Sequence, residues 1–594
     1  MATEGLSLVL LFAAFGLMQA LVGGTRMAFS LPVYGLVGVA GVIGFFSWRR
    51  IKPSPSQFCL GSTVAFLGYA LGRALLSPVP YIARSDVYSI LGGLAVYFLV
   101  ACILVSARQR MVLLLLLLAF ALIHVAVGAI QFRDGNNFMP ISWLQRYDYE
   151  WRASGLYVCP NHLAGLLEVL GVMGLSLACW SRWPVWSKLF ISYGVGVCYV
   201  GLILTASRGG YLSAGASLFV FALLSLVTLR RLGAGLAWKI GLPVTIVAVL
   251  LAMAAVFYVS KNAPLRDRAQ TTFDASNIRI DLWKAALEQW KLQPVIGTGS
   301  ATYLYYGRFF RTPQMQLDPV YTHGDYLQLL AEYGLVGVLG LAIFLFAHLR
   351  HGFRSFSRLG PRRVAASQLL PSNALALNIG AIAAVSSILV HSIFDFNMHI
   401  PANVLLMAFV FAVLANEGVA WERQGTSVAL GQLLWRLVLP VLSLALVVQC
   451  FRLLPGEYFS ERARMAVRDD QPGLALLYAR RGLKYDPANP DLHARLGTAR
   501  LQFADRAETP EAAGAFRDAA IASLQRARSL APREESYGLE LAGVLDAAGH
   551  FDEAETIFQE LLRDDPKSQN LRRYHEGHLK IRRPEETNVA PAGS

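Results

Sequence analysis

The placement of apolar and polar residues most constrains what this chain can fold into. About thirteen apolar runs follow one another through its first three quarters, and ~20 apolar residues let a helix cross a bilayer. Hydrophobic residues are 55% of the 594 residues and charged residues only 15%, unlike a soluble globular protein. The sequence therefore predicts an all-α, polytopic membrane protein with about thirteen transmembrane helices. The runs lie at 5–24, 30–47, 57–77, 87–106, 111–131, 161–180, 187–206, 211–229, 239–259, 330–349, 372–393, 399–415 and 433–452.

The basic residues of the short loops predict the orientation. Loops that follow even-numbered runs hold sixteen Lys and Arg, whereas the short loops that follow odd-numbered runs hold six. Because cytoplasmic loops carry the excess of positive charge, the even-numbered loops and the N-terminus are expected in the cytoplasm. This pattern accounts for much of the net charge of +14 without nucleic acid as a partner. An odd number of spans then puts the residues after 452 outside.

A long polar stretch divides the membrane helices into two groups. Residues 260–329 are too long for a connector and carry charges, Trp283 and several tyrosines, so an ordered external (periplasmic) loop is expected there. Helices one to nine would occupy 1–259, and helices ten to thirteen would occupy 330–452.

The stretch 453–580 predicts a soluble α-solenoid. Apolar residues recur there at helical spacing, and Pro487, Pro532 and Pro566 are 45 and 34 residues apart. The last unit is similar to a tetratricopeptide repeat, and three such units make a stable stack. An unrelated helical bundle is the alternative. A stacked array suits a protein partner, and the tail 581–594 is expected to be disordered.

The first polar motif is the turn between the seventh and eighth runs, at their predicted external ends. It contains Ser207, Arg208 and Gly209. A guanidinium at the edge of the hydrocarbon is costly unless it faces a polar cavity or an anion, and glycine lets the backbone approach a ligand. An arginine that reaches from a tight turn to the lipid headgroups is the alternative.

A second arginine lies in the predicted external loop. Arg279 and Trp283 are four residues apart, so on a helix they would share a face. An arginine beside an aromatic ring suits a diphosphate that carries a sugar or a prenyl chain. A surface salt bridge between Arg279 and a nearby acid is the alternative.

A histidine and a polar stripe precede the tenth run. Asp325, Gln328 and Glu332 fall at i, i+3 and i+7 and would share one helical stripe, with Tyr326 beside them. His323 comes just before, and imidazole is the side chain best able to take a proton near neutral pH. A structural hydrogen bond is the alternative role for His323. Its predicted face also holds two arginines, which favours a part in catalysis.

Two accessory clusters lie on the same predicted side. Asn161 begins the sixth run, where it is placed to cap the helix or to contact a substrate. His391 and Asp395 are four residues apart before the turn between runs eleven and twelve, and we expect them to pair with each other. The six cysteines are scattered and indicate neither a disulfide framework nor a metal site.

Together these motifs resemble a known family. The segments concerned are Gly155 to Asn161, Ser207 to Gly209, Arg279 with Trp283, Gly297 with Gly299, and His323 to Glu332 with Gly334. In order and spacing they are similar to bacterial O-antigen ligases, a family that includes O-antigen polymerase-like proteins and protein O-oligosaccharyltransferases. The resemblance covers roughly residues 150–415. One departure is Gly324, where the family commonly has a small polar residue or Asn, and it concerns the acceptor side.

The resemblance implies a glycosyltransferase of the bacterial inner membrane, with a fold similar to the GT-C class. A glycan would pass from undecaprenyl diphosphate, at the periplasmic face, to a hydroxyl of lipid A–core, a growing glycan or a protein. Arg208 and Arg279 would be the diphosphate-binding arginines, and His323 the essential histidine. The residues expected around the substrate are Ser207, Gly209, Trp283, Asp325, Tyr326, Glu332 and Asn161.

No clustered carboxylates are visible on the predicted outer face, so direct displacement with inversion, without a metal or cofactor, is the economical mechanism. A transporter of lipid-linked glycans is the alternative from another class, since it too needs arginines for the diphosphate. Transporters place ionisable residues near the bilayer midplane, whereas these runs contain few charged residues, Arg73 among them. A membrane anchor for the repeats would need only one span. The distribution favours the enzyme.

Overall fold

The computed structural model consists of helices and connecting turns. It describes residues 2–47, 53–141, 143–144, 146, 149–232, 253, 257–263, 265–266, 278–359, 372–419 and 426–582. No strand occurs in these ranges, and the all-α prediction is confirmed for them. The helices of the first half are α1 (Ala2–Ala20), α2 (Met27–Phe45), α3 (Gln57–Leu75), α4 (Pro80–Phe98), α5 (Ala107–Asp134), α6 (Pro160–Trp180), α7 (Val185–Leu204) and α8 (Arg208–Leu232).

The second half contains the remaining membrane helices and the repeat domain. These helices are α9 (Ile278–Leu292), α10 (Tyr303–Phe309), α11 (Asp325–Leu359), α12 (Asn373–Phe394), α13 (Pro401–Ala415), α14 (Thr426–Arg468), α15 (Pro472–Leu483), α16 (Pro490–Ala504), α17 (Pro510–Leu530), α18 (Glu535–Ala547), α19 (Phe551–Asp564) and α20 (Gln569–Arg582).

The predicted spans coincide with helices wherever the structure describes them. Eleven helices of the described ranges are long and apolar enough to cross a membrane, and α13 is a shorter apolar helix. Twelve of the thirteen predicted runs therefore correspond to helices. The ninth predicted run, 239–259, lies largely outside the described residues, as does the predicted tail beyond 582.

The loops between spans lie at two opposite ends of the bundle. At one end Ser77 Oγ donates a hydrogen bond to the carbonyl of Ser300 at 2.7 Å, and at the other the N–H of Ser372 donates to the carbonyl of Trp180 at 3.0 Å. Loops that follow odd-numbered runs thus lie at one end, and loops that follow even-numbered runs lie at the other, as the alternation of spans requires. The end with the polar motifs, here called the motif face, holds the segments 135–159, 205–207, 278–324 and 395–400.

The centre of the bundle is formed by α6 and α12, which pack against each other and against α8. Small residues allow the close approach: a Cβ at Gly380 would lie 3.1 Å from Ser176 Cβ and 3.2 Å from Met173 Cα. Both central helices are buried almost all round. Polar side chains near their motif-face ends therefore lie inside protein and not in lipid.

A break in α11 shapes the motif face. At Gly334 the φ of +64° and ψ of −165° are not helical, and the carbonyl of Glu332 accepts the N–H of Gly299 at 2.9 Å. A Cβ at position 334 would lie 2.4 Å from the carbonyl oxygen of Val295, so only glycine fits there. The polar stripe of residues 325–333 therefore belongs to a separate helical segment above the long apolar part of α11.

The last span and the first repeat helix are one helix. The 43 residues of α14 run from Thr426 to Arg468, through the boundary predicted at 452. Its C-terminal part packs against α15, and the pairs α16/α17 and α18/α19 follow before α20. α17 has 21 residues whereas α19 has 14, so the longer spacing predicted for the middle unit lies mainly in a longer second helix.

The repeat domain is attached to the motif face by ion pairs. Arg84 Nη1 lies 3.1 Å from Glu457 Oε1 and 3.0 Å from Asp486 Oδ2. Arg311 Nη2 lies 2.7 Å from Asp565 Oδ2, with side chains only 3% and 2% exposed. Because the two groups of contacts involve different repeats, they fix the orientation of the domain and do not merely tether it.

Candidate functional site

Arg208 is the first residue of α8 and follows a tight turn. Ser207 Oγ accepts the N–H of Gly210 at 3.2 Å, which satisfies a backbone donor at the start of the helix. A Cβ at Gly209 would come within 3.3 Å of Phe394 Cβ, so this glycine lets the start of α8 pack on the end of α12. The turn leaves Arg208 half-buried at the edge of the motif face.

Arg279 and Trp283 lie on one helix, α9, which is the condition under which their spacing places them on one face. The charge of Arg279 acts directly on that of Arg208, so two segments distant in sequence bring their guanidinium groups near each other. Trp283 Nε1 donates to the carbonyl of His323 at 3.5 Å. Like charges repel, and an anion between them removes the repulsion. Two guanidinium groups thus lie in the neighbourhood of the histidine.

His323 faces a buried carboxylate. Its Nδ1 lies 3.4 Å from Asp395 Oδ1, and its side chain is 35% exposed whereas that of Asp395 is 1% exposed. The φ of +51° at His323 is in the left-handed region, a conformation that costs energy for a non-glycine residue. The ring of Phe396 packs against the imidazole with 4.8 Å between centroids. His323 Nδ1 has no hydrogen-bond partner within the described residues, so the carboxylate lies beside it at ion-pair distance, a position from which it can orient a general base.

Asp395 is held in its ionised form. Burial raises the pKa of Asp395, but its interactions with His323 and with the nearby His162 and His391 outweigh burial and hold the pKa below its usual range. An ionised carboxylate at this position stabilises positive charge in its surroundings.

Close packing explains why the residue after His323 is a glycine. A Cβ at Gly324 would lie 3.2 Å from Trp283 Nε1 and 3.3 Å from the carbonyl oxygen of Ile393. Both contacts are tighter than ordinary, so a side chain there would push α9 away from the end of α12. The departure from the family pattern at this position therefore accompanies the close packing of Trp283.

The polar stripe of α11 faces the protein interior. Glu332 is fully buried, and its Oε1 accepts the N–H of Tyr303 at 3.0 Å. Asp325 is 3% exposed and lies 3.2 Å from His399 Nδ1, and Tyr326 Oη donates to a backbone carbonyl of α12 at 2.8 Å. The stripe that the spacing predicted is present, and these contacts hold the segments around the histidine together.

The ion pair of Asp325 joins α11 to the turn between α12 and α13. Burial alone lowers the pKa of His399, but the hydrogen bond and the charge of Asp325 outweigh burial and raise it to about 9. His399 is therefore positively charged at neutral pH, and its contact with Asp325 secures the turn that carries Phe396.

Asn161 does not cap its helix. The N-cap residue of α6 is Cys159, which makes no side-chain capping bond. Asn161 Oδ1 accepts a hydrogen bond from Arg152 Nη2 at 2.9 Å, and Arg152 Nε donates to the carbonyl of Thr205 at 3.0 Å. Arg152, only 8% exposed, was missed from the sequence. It ties the start of α6 to the turn before α8.

His391 pairs with Glu168, and the expected pairing of its side chain with Asp395 is wrong. His391 Nδ1 lies 3.0 Å from Glu168 Oε1, and each side chain is 1% exposed. Ser213 Oγ donates to the other carboxylate oxygen at 2.5 Å. Glu168 was missed because it belongs to no motif. A carboxylate inside an apolar run was the signal that could have identified it.

Several polar atoms behind His323 are buried. Both ring nitrogens of His162, Nε2 of His391 and Oδ2 of Asp395 have no hydrogen-bond partner within the described chain. The ring of His162 packs against Phe396, with 4.9 Å between centroids. Buried polar atoms nearly always have a partner, so this pocket has the chemistry to hold water or a hydroxyl.

The positive charge of the site comes from arginine side chains. Arg208 and Arg279 lie at its edge, and Arg152 supports the turn before α8. The described ranges contain no group of three or more His, Cys, Asp and Glu side chains that could hold a metal ion.

Comparison with known proteins identifies two segments. The O-antigen ligase family model matches residues 193–342, which include Arg208, Arg279 and His323. A tetratricopeptide repeat model matches residues 512–575. Among curated proteins, no relative matches the chain. The two family matches confirm the resemblance that the motifs suggested. Residues 193–342 are therefore similar to O-antigen ligases, and a segment similar to tetratricopeptide repeats follows them in the chain.

Proposed function

We propose that the protein transfers a glycan from undecaprenyl diphosphate to an acceptor hydroxyl at the periplasmic face of a bacterial inner membrane. One observation carries the proposal. The motif face brings two neighbouring guanidinium groups, Arg208 and Arg279, together with His323 and its buried partner Asp395. These are the groups needed to stabilise a leaving diphosphate and to accept a proton from an attacking hydroxyl.

The arginines act on the leaving group. Displacement breaks the bond between the anomeric carbon and the diphosphate oxygen, and the electron pair passes to the diphosphate. Negative charge grows there as the bond breaks, and preorganised donors stabilise it, each worth ~10²–10³ in rate. The planar guanidinium of Arg208 or Arg279 binds phosphate oxygens in a bidentate way that an ammonium does not reproduce.

His323 acts on the acceptor. The acceptor oxygen forms its bond to the anomeric carbon from the side opposite the diphosphate, which inverts the configuration. The hydroxyl proton passes to Nε2 of His323, while Nδ1 faces Asp395, and the histidine later loses the proton to water. General-base assistance of this kind is worth typically ~10²–10⁴ in rate. No further reactant is needed for the balance.

The exposed side of α8 supports a membrane-embedded donor. Leu212 is 57% exposed and Phe219 is 70% exposed, and both lie near the helical stripe that begins with Arg208. A prenyl chain in the bilayer can contact this stripe while its diphosphate meets the arginine. The basic loops at the opposite end of the bundle support the motif face as the periplasmic one.

Three acceptors share this donor chemistry. Lipid A–core would make the protein a ligase, a growing glycan would make it a polymerase, and a protein hydroxyl would make it an O-oligosaccharyltransferase. The stacked helices of the repeat domain, which suit a peptide or protein partner, favour the third slightly. A transporter of lipid-linked glycans, by contrast, would leave the diphosphate bond intact.

The test is transfer by the purified protein in lipid nanodiscs. A defined undecaprenyl-diphosphate oligosaccharide is supplied with each acceptor in turn, and both the glycosylated acceptor and the released undecaprenyl diphosphate are quantified. We expect both products in equal amounts with one acceptor class, and neither with the His323→Ala variant. Movement of intact donor across proteoliposomes, without release of the diphosphate under any condition, would contradict the proposal.

A further inference from the structure

A cavity of about 840 Å³ lies between the loop above the membrane and the repeat domain. One wall is α10 and the residues beside it, and the other is formed by α17, α18 and α19. The aromatic residues of the first wall are Tyr305, Tyr306, Phe309 and Phe310. Phe309 is 46% exposed, so part of this aromatic surface is open to a ligand.

The two walls are fixed relative to each other. The buried ion pair of Arg311 and Asp565 joins them, and Gln316 adds hydrogen bonds to the carbonyl of Lys567 at 3.2 Å and from the N–H of Gln569 at 2.9 Å. Arg533 lies over the ring of Tyr305, 6.0 Å from its centroid. A cavity whose walls are already held in place binds a ligand with little ordering cost.

The charges of the lining are balanced. Its basic residues are Arg308, Arg528, Arg533 and Arg563, and its acidic residues are Glu535, Glu560, Asp564 and Asp565. Several are paired, as in Arg528 with Glu560 at 2.5 Å. An equal number of opposite charges does not attract a strongly charged polymer. Aromatic faces beside many hydrogen-bonding groups suit sugar rings, which have apolar C–H faces and hydroxyl edges.

The cavity is connected to the candidate site by a helix. Arg279 lies at the start of α9, and Leu292 at its end lines the cavity. The helix has 15 residues and is therefore about 20 Å long. A glycan several sugars long, with its reacting end near Arg279, can reach the cavity.

We propose that this cavity binds a neutral stretch of the glycan several sugars away from the reacting end, so that the repeat domain takes part in substrate recognition. This inference rests on the glycosyl transfer proposed above. The bound stretch stacks on Tyr306 and Phe309, and its hydroxyls exchange hydrogen bonds with the paired charged groups of the repeats. The cavity thereby favours long glycans over short ones.

The experiment measures binding without transfer. The probe is the set of oligosaccharides that mild acid releases from the lipid-linked glycans of cells that express the chain, sorted by length and free of diphosphate. Binding to the full-length protein in nanodiscs is followed by saturation-transfer NMR and calorimetry. We expect the Kd to fall with glycan length, and Phe309→Ala or Tyr306→Ala to raise it at least tenfold for the longest fragments.

Two further variants keep the result interpretable. Gln525→Trp introduces a bulky ring at an exposed lining position and should block binding without removing a contact. Tyr574→Ala removes a tyrosine that is 56% exposed and outside the cavity, and it should bind normally. Equal binding by Tyr574→Ala and Gln525→Trp, or no glycan binding by the wild-type protein, would overturn the inference.

The outcomes also separate this inference from the proposed transfer. Arg208→Ala should lose transfer and still bind the free oligosaccharide, because the probe carries no diphosphate. Length-dependent binding without transfer in any assay would retain the cavity as a glycan site and reject the enzyme. Transfer by a wild-type protein that does not bind free glycan would retain the enzyme and reject the cavity.

Discussion

The arginine pair and the polar stripe were both predicted as parts of one site, yet they stand in opposite environments. Arg208 and Arg279 are half-buried like charges near each other. Asp325, Gln328 and Glu332 are buried, and each makes a hydrogen bond or ion pair within the chain. Guanidinium groups at an accessible edge can reach a ligand, whereas the buried groups of the stripe join segments of the chain to one another.

Removal of either arginine should have the largest effect on transfer. We expect Arg208→Ala and Arg279→Ala each to lower the transfer rate by ~10²–10³ without loss of folding, because a donor to the leaving group disappears. Lysine should restore little, since it lacks the bidentate fork. Arg133→Ala is the matched control, as Arg133 is 75% exposed and paired with Asp134. Full activity in either site variant would exclude that arginine from the diphosphate site.

Substitution of His323 should affect the transfer step and not the binding of the donor. We expect His323→Ala to abolish transfer while the Kd for the undecaprenyl-diphosphate donor changes little, because the arginines hold the diphosphate. Asp395→Asn should lower kcat by ~10²–10⁴ with little change in KM, since orientation of the general base is lost. Near wild-type transfer by His323→Gln, which keeps a hydrogen bond and cannot titrate, would reduce the histidine to a positioning residue.

Substitutions in the polar stripe should lower the stability of the protein and leave its transfer rate nearly unchanged. Glu332→Ala leaves the buried N–H of Tyr303 without its acceptor, which costs roughly 1–3 kcal/mol. We therefore expect a lower unfolding temperature but a nearly unchanged transfer rate per folded molecule. Glu332→Gln retains an acceptor oxygen and serves as the control. If Glu332→Ala instead lost transfer at full stability, the stripe would belong to the substrate site after all.

The smallest expected effect is a pH dependence of stability. The folded pKa of His399 is raised to about 9 by Asp325, above the ordinary ~6.5 of an unfolded histidine. The stabilisation is therefore complete below pH ~6.5 and is lost as pH rises through about 9. Thermal unfolding at pH 6 and pH 10 should show a larger decrease for the wild-type protein than for His399→Gln. Equal decreases would mean that the pair does not titrate in this range.

The sequence was most informative about features with a local cause. Apolar length places a membrane helix, and every described span appeared where the run predicted it. The four-residue spacing of Arg279 and Trp283 indicated a shared face for the case of a helix, and both residues lie on α9. The separation of odd and even loops followed from alternation alone. These features depend on a few neighbouring residues, so no knowledge of tertiary contacts was needed.

Side-chain pairing could not be predicted in the same way. His391 has a carboxylate four residues away, yet its partner is Glu168, 223 residues distant in sequence. Asn161 was placed to cap a helix or to contact a substrate; it does not cap α6, and its side chain accepts a hydrogen bond from Arg152. The packing of α6 against α12 brings Glu168 to His391, and the fold of the segment before α6 brings Arg152 to Asn161. Periodicity cannot decide between partners that only tertiary structure makes adjacent.

α14 runs from the membrane part into the repeat domain as one helix. The number of residues in α14 therefore determines how far the repeat domain lies from the membrane helices and which way it faces. A helix of 43 residues is about 65 Å long, and each added residue advances it by ~1.5 Å and turns it by ~100°. One residue inserted before Glu457 would thus rotate this acid away from Arg84. All later repeats would rotate about the helix axis by the same angle. An insertion of seven residues, about two full turns, would move the repeat domain farther from the membrane helices. Its rotation about the axis of α14 would stay nearly the same. In α14, the number of residues sets both the distance of the repeat domain from the membrane helices and the rotation of the domain about the helix axis.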